Sequence, residues 1–219
     1  MLRILTAMAC ALLLINTAVA EPSNLGMLKK ELRQYHDAGI YEQELNGVIG
    51  EAHRYIISQA EKNQQQPVRK KLAIVLDIDE TSLSNYDKFV KHDFFPTPAQ
   101  IHRDVQQADA PAIEAMLNLY NDALKHGISV FFVTGRPVAD LNATKTNLQR
   151  DGYHDWAGLY LRPDNYKRSS IVPFKSQTRA MISKQGYTIV ASIGDQYSDL
   201  LGGHAKRAFK LPNPWYFLP

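Results

Sequence analysis

A single cysteine, Cys10, occurs in the 219 residues. A disulfide framework and a cysteine-built metal site are therefore excluded. Glycine (12) and proline (11) are sparse, which rules out collagen-like and low-complexity chains. Charge of neither sign dominates: 25 Lys and Arg stand against 22 Asp and Glu, a net of +3. The basic residues are scattered, so there is no electrostatic footprint for nucleic acid. After residue 20 no run of about 18 apolar residues follows, and no membrane anchor is expected there. What is present is an ordinary globular composition, 45% hydrophobic and 10% aromatic, on a chain long enough to bury a real core.

Residues 1–20 differ from the rest. Arg3 precedes an apolar run from Ile4 to Ile15, and Ala18-Val19-Ala20 ends in a small-x-small pattern before polar Glu21-Pro22-Ser23-Asn24. This reads as a cleaved secretory signal. Cys10 lies inside it, and the preceding Ala7-Met8-Ala9 does not favour lipidation. The expected mature protein is cysteine-free and exported, with the length of the signal favouring a bacterial periplasm over the medium.

Beyond the signal, helical and strand patterns alternate. Leu25, Leu28, Leu32 and Tyr35 recur at helical spacing behind Ser23, a possible cap. A second helical stripe runs through Leu45, Val48, Ile49, Ala52 and Ile56, with Gly39 between the helices and the polar run Glu61 to Gln66 as linker. Residues 21–66 thus form a helical segment packed on a core of residues 67–219. Leu72 to Leu76 is continuously apolar, as in a strand buried on both faces, and stops at Asp77-Ile78-Asp79-Glu80-Thr81. A helix is expected over 109–125 and a second buried strand over 128–133, ending at Thr134-Gly135-Arg136. Pro137 suits the first turn of the next helix, which reaches Arg150. Short strands at 159–161, 188–193 and 207–211, with a helix over 174–184, complete the pattern.

Buried strands separated by helices imply parallel strands with helical crossovers, a doubly wound α/β sheet. The interval from Asp77 to Thr134 exceeds one crossover, leaving residues 82–109 for an inserted cap. In such sheets ligands bind outside the carboxyl ends of the strands, where Asp77, Asp79, Thr134 and Asp195 fall. Three carboxylates there would repel one another without a cation among them. An all-oxygen donor set suits Mg²⁺, and no His or Cys stands at zinc-like spacing. The plainer alternative makes each aspartate a strand-end cap. A carboxylate such as Asp77 can also attack phosphorus to give an aspartyl-phosphate, with Asp79 as general acid and base. Thr134 and a lysine would hold the phosphoryl oxygens. Lys175 is the candidate: a cation at a helix start is unfavourably placed and needs an anionic partner elsewhere.

In order and spacing, Asp77-Ile78-Asp79-Glu80-Thr81, Thr134-Gly135-Arg136, Lys175 and Gly194-Asp195-Gln196-Tyr197-Ser198-Asp199 resemble the four motifs of the haloacid dehalogenase-like hydrolases. Asp79 to Asn85 and Leu211-Pro212-Asn213-Pro214 resemble their secreted acid phosphatases, the class B and plant group called subfamily IIIB. The resemblance implies Asp77 as nucleophile and metal ligand, and Asp79 as acid/base whose backbone carbonyl also meets Mg²⁺. It implies Asp195 as a further metal ligand and Asp199 as the orienter of metal-held water. The second aspartate, Asp79, argues for phosphate chemistry over carbon–halogen cleavage.

Gly135 and Arg136 border the expected phosphate site. Arg136 would bind a phosphate or substrate oxygen, or else form a scaffold ion pair. Tyr86, Phe94 and Phe95 in the cap would either stack on a base or aryl group or pack the cap itself. His92, His102 and His204 have no ligand spacing. The function expected is an exported, Mg²⁺-dependent phosphatase acting on small phosphomonoesters such as nucleotide, aryl or sugar phosphates. The alternatives are a phosphotransferase on the same site and a non-catalytic storage or binding protein on the same fold. Storage relatives of these phosphatases can lack the nucleophile, whereas this chain keeps Asp77.

Overall fold

The computed structural model describes residues 21–218. Residues 1–20, where a secretory signal is expected, and with them Cys10, lie outside the described residues. Two helices come first, α1 (Leu25–Asp37) and α2 (Ile40–Gln64), and then β1 (Lys71–Leu76). Helices α3 (Tyr86–Lys91), α4 (Pro98–Gln106) and α5 (Glu114–Lys125) lead to β2 (Ser129–Pro137). The remaining elements are α6 (Leu141–Arg150), β3 (Gly158–Arg162), α7 (Val172–Lys184), β4 (Tyr187–Gly194) and β5 (Arg207–Lys210). The strands form one parallel sheet in the order β3-β2-β1-β4-β5. This is the doubly wound α/β architecture expected from the alternating pattern.

The alternation of side chains along a strand divides the core in two. Leu72, Ile74 and Leu76 of β1 join Leu45, Ile49 and Ile56 of α2 and Met116 and Tyr120 of α5. Ala73 and Val75 point to the other face, with Phe131, Val133, Ile189 and Ile182 of α7. Both faces of β1 are thus covered, which is why its sequence is uninterruptedly apolar. The chain moves outward from β1 to β2 and β3, then crosses back to β4 on the far side of β1. The strand order therefore reverses between β1 and β4, where a crevice opens at the carboxyl ends of an open sheet.

Several boundaries differ from those expected. Asn24, not Ser23, caps α1, its Oδ1 accepting from the Met27 amide at 3.2 Å. Helix α2 continues through Glu61 to Gln64, because a polar run of good helix formers extends a helix on its solvent face. Helix α5 begins at Glu114 rather than 109: Pro111 lies ahead of it, and Ala112 forms an antiparallel bridge with Leu83. Pro137 ends β2 and caps a short 3-10 turn, Val138–Asp140, before α6. Residues 82–109 hold α3 and α4, the latter opened by a Thr97–Gln100 capping box. Among the described residues, no helix is long and apolar enough to cross a membrane.

Candidate active site

Asp77 follows β1, Asp195 follows β4, and Asp199 lies in a single 3-10 turn (Tyr197–Asp199) just beyond. The reversal of strand order brings them together: each offers a carboxylate oxygen, all three within 4.8 Å of one another. Lys175, from the first turn of α7, enters between them. Its Nζ donates to Asp77 Oδ1 at 2.9 Å and also to Asp199 Oδ1. The anionic partner that its awkward place at a helix start demanded is therefore a pair of carboxylates from two other elements. All four side chains are buried.

Gly194 makes the approach of Asp199 possible, since a Cβ at that position would collide with the Asp199 side chain. Asp199 Oδ2 accepts from the Gln196 amide at 2.9 Å. Arg179 of α7, fully buried, donates to the carbonyls of Asp199 (2.7 Å), Leu201 and Gly203 (2.9 Å) and so fixes the following loop. Ser192 Oγ adds a bond to the Asp199 carbonyl at 2.8 Å.

Asp195 is held on every side. Its Oδ1 accepts from Thr81 Oγ1 at 3.1 Å, while its Oδ2 accepts from Gln196 Nε2 at 2.8 Å and Asn213 Nδ2 at 2.7 Å. Its amide donates in turn to Thr81 Oγ1 at 3.1 Å.

The Asp79 carboxylate has a separate setting. Arg136 Nε donates to it at 3.0 and 3.1 Å and Nη2 at 2.7 Å, while Asn85 Nδ2 donates at 2.9 Å. Arg136 is itself braced by Nη1 donating to Thr144 Oγ1 at 3.1 Å. Thr134 is fully buried on β2, and its Oγ1 accepts from the Arg136 amide at 3.1 Å. Gly135 faces the Leu218 side chain, and its carbonyl accepts from Arg162 Nε at 3.0 Å. Of the two roles open to Arg136, the ion pair is the one formed.

The two catalytic candidates of the first strand are driven apart electrostatically. Burial pushes the Asp77 carboxyl well above the usual carboxylate range, and repulsion from Asp199 adds to this against the attraction of Lys175. Asp199 is likewise raised by burial, less so because Lys175 opposes it. Burial disfavours charge on Lys175, but the charges of Asp199 and Asp77 outweigh it and raise its pKa. Burial also disfavours charge on Asp79, yet the Arg136 charge and its hydrogen bonds hold that carboxyl below its ordinary value. Glu80, with a left-handed backbone (φ 53°), is raised well above the usual range by burial and by Asp79.

Among Asp77, Asp195 and Asp199 the donors are all carboxylate oxygens, crowded and buried, with one cation, Lys175, among them. That donor set fits a hard divalent cation. The Asp79 side chain stands outside this cluster, bound to Arg136.

Two of the three aromatics expected in a cap, Tyr86 and Phe94, are packed against protein. Tyr86 stacks on His36 of α1, ring centroids 3.3 Å apart, and lies 5.1 Å from Trp215. Phe94 stacks on Trp215 at 5.9 Å, with Arg33 over its ring. These faces are covered by protein, so the expectation that Tyr86 and Phe94 stack on substrate gives way to the packing alternative. Phe95 is 86% exposed. His92 pairs with Asp104 at 2.7 Å and His102 with Asp140 at 2.6 Å, contacts that tie surface elements together.

Sequence reasoning missed Thr81, Gln196 and Asn213 as the holders of Asp195, and Asn85 as a holder of Asp79. Asn85 and Asn213 lie in the stretches that carried the family resemblance, Asp79 to Asn85 and Leu211 to Pro214. That was the available signal, but it specified no contact.

An open parallel sheet with carboxylates and a lysine converging at its switch point is an α/β protein with a charged site at the carboxyl ends of its strands. The model of the family described as HAD superfamily, subfamily IIIB (acid phosphatase), matches residues 3–219, and the chain belongs to that family. It is 34% identical over 191 residues to Acid phosphatase 1 of Solanum lycopersicum, covering 85% of this chain and 73% of that protein. It is 38% identical over 157 residues to the Stem 28 kDa glycoprotein of Glycine max, covering 69% of this chain but only 62% of the relative. Its fold matches the class C acid phosphatase of Bacillus anthracis solved with tungstate bound, with a TM-score of 0.68 over 87% of this chain and 86% of that one at 21% identity. The protein is thus a phosphomonoesterase of the acid phosphatase type.

Proposed function

We propose that the protein is an exported, Mg²⁺-dependent acid phosphatase that hydrolyses small phosphomonoesters through an aspartyl-phosphate on Asp77. The observation that carries this reading is the buried Lys175 bridge between Asp77 and Asp199, beside Asp195, at the switch point of the sheet. Residues 82–109, with α3 and α4, serve as the cap over the site. They reach it through Asn85 on Asp79 and touch the body through Gln106 Nε2, which donates to Asp140 at 2.8 Å.

Asp77 attacks phosphorus, forming a phosphorus–oxygen bond as the bond to the leaving alkoxide breaks. At acidic pH, where Asp79 takes up a proton against the hold of Arg136, it passes that proton to the alkoxide and then takes one from the water that cleaves the acyl phosphate. Arg136 and Asn85 keep the Asp79 carboxylate in one orientation for both transfers. Thr134 and Lys175 hold the phosphoryl oxygens, and Lys175 offsets the charge of its two carboxylates as the phosphate arrives. Mg²⁺ held by Asp77, Asp195 and Asp199 would supply charge neutralisation for the transferring group.

Support for export rests on the leader in residues 1–20. An alcohol acceptor in place of water would make the same site a phosphotransferase. The test is p-nitrophenyl phosphate hydrolysis by the chain from Glu21 onward, across roughly pH 4–9, with Mg²⁺, with chelator and with Asp77→Asn. Turnover that disappears with chelator and with the variant is expected. A folded, Mg²⁺-loaded chain that hydrolyses no phosphomonoester would overturn the reading in favour of a binding or storage role.

A further inference from the structure

The chain after β5 is part of the acidic site. The Leu211 amide donates to the Gly194 carbonyl at 2.9 Å, continuing the β5 pairing to the residue just before Asp195. Four residues later Trp215, 5% exposed, is buried among Tyr41, Tyr86 and Phe94. Asn213 lies between these two anchors and uses both ends of its amide. Its Oδ1 accepts from the Trp215 amide at 2.8 Å, closing a turn, and its Nδ2 donates to Asp195 Oδ2 at 2.7 Å. Gln196 donates to the same oxygen at 2.8 Å. Its Oε1 accepts from the Leu218 amide at 3.1 Å, and its Nε2 also reaches the Tyr216 carbonyl at 3.3 Å. The segment is therefore stitched to Asp195 directly and again through Gln196.

We infer that Asn213, seconded by Gln196, is a positioning residue for divalent-cation binding, orienting the Asp195 carboxylate from the C-terminal segment. The inference rests on the reading of Asp195 as a metal ligand. Ligating carboxylates depend on the outer groups that fix their orientation, and loss of such a group weakens metal affinity about 10- to 100-fold. Asp195 is completely buried and has no solvent to replace a missing donor. The Thr81 hydroxyl holds only its other oxygen. With Asn213 removed, Oδ2 keeps only Gln196, whose Nε2 is shared with the Tyr216 carbonyl.

The variant that isolates this role is Asn213→Ser. A serine hydroxyl can still close the turn onto the Trp215 amide but is too short to reach Asp195. The experiment is calorimetric titration of the metal-free chain with Mg²⁺ and with Mn²⁺, parent beside variant, together with melting of both without metal. We expect the cation Kd to weaken about 10- to 100-fold while the metal-free melting temperature falls by no more than several degrees, the cost of one hydrogen bond to a buried carboxylate. Phosphate-ester hydrolysis by the variant is expected to recover to near the parental kcat at saturating Mg²⁺, which a damaged fold would not allow. Should Asn213→Ser not fold, Gln196→Met removes the second donor to the same oxygen with little change in size, and the same weakening is expected. Parental or tighter cation affinity in the folded variant overturns the positioning role. A parent that binds neither ion overturns the metal reading beneath it.

Discussion

Two ion pairs, one fully buried at Lys175 and one partly exposed at Asp79, behave oppositely. At Lys175 one cation is divided between Asp77 and Asp199, with Asp195 close by; burial drives the carboxyl of Asp77 up, and the repulsion of Asp199 adds to it. At Arg136 one guanidinium serves one carboxylate, and Asp79 is held down. Two aspartates separated by a single residue are thus given different acidities by their surroundings: without a further cation Asp77 resists ionisation, whereas Asp79 is held ionised down to acidic pH. The first cluster sets one cation against three carboxylates, while in the second one cation faces one carboxylate.

The sharpest way to break this contrast is Asp77→Asn. It removes the nucleophile, and kcat for phosphomonoester hydrolysis should fall by at least about 10³-fold. The fold should be retained, because the substitution relieves repulsion; far-UV circular dichroism checks that. Asp79→Asn should cost about 10² to 10⁴-fold with alkyl phosphates and markedly less with p-nitrophenyl phosphate, whose leaving group needs no proton. An equal loss with both substrates would mean that Asp79 serves structure instead.

Arg136→Leu sharpens the comparison from the other side. It leaves the partly exposed Asp79 carboxylate without its cation, and urea unfolding should report a loss of about 1–3 kcal/mol, the cost of removing a hydrogen-bond partner from a charged group. With the cation gone, the Asp79 carboxyl titrates at higher pH, so the proton donor persists to higher pH and the alkaline limb of the kcat profile with alkyl phosphates should move upward.

Metal-free protein should also respond to pH in a direction set by the raised groups. Asp77, Asp199 and Glu80 all have folded-state pKa values above their unfolded ones. The folded state then binds more protons, so their contribution is fully present below about pH 4, the ordinary carboxylate range, and is lost as pH rises through the folded values. Asp79 acts with the opposite sign: its stabilisation is present above that range and lost as pH falls through its lowered value. Within the site, three raised groups against one lowered outweigh the exposed surface pairs of Asp93, Asp109 and Asp122 and predict a metal-free melting temperature higher at mildly acidic than at neutral pH, a difference that saturating Mg²⁺ should reduce. The smallest effect is expected at Tyr86→Phe, which loses the bond from the Tyr86 hydroxyl to Asp37 (3.2 Å) at a cost of about 1 kcal/mol. Because that ring packs against His36 and Trp215, kcat/KM should not change.

The elements that positioned the site were legible because each left a local signature. The run Leu72 to Leu76 could only be a strand buried on both faces, and it stops where Asp77 begins. The start of α5 was misplaced for a local reason too, since the bridge of Ala112 to Leu83 is a contact between distant residues that periodicity does not encode. Tyr86 and Phe94 looked available because the sequence shows aromatic rings in a cap and says nothing of Trp215, more than a hundred residues later, that covers them.

By itself the sequence determined the order of strands and helices and placed the aspartates, the threonine and the lysine at their ends, because hydrophobic periodicity and strand termination are properties of consecutive residues. Only the tertiary structure decided which charges meet. Arg136 turned to Asp79, Lys175 was divided between Asp77 and Asp199, and Asn213 was carried back to Asp195. The physical reason is that a buried charge takes whatever partner the packing of the sheet delivers, and that delivery depends on the crossing from β3 back to β4, which no short stretch of sequence specifies.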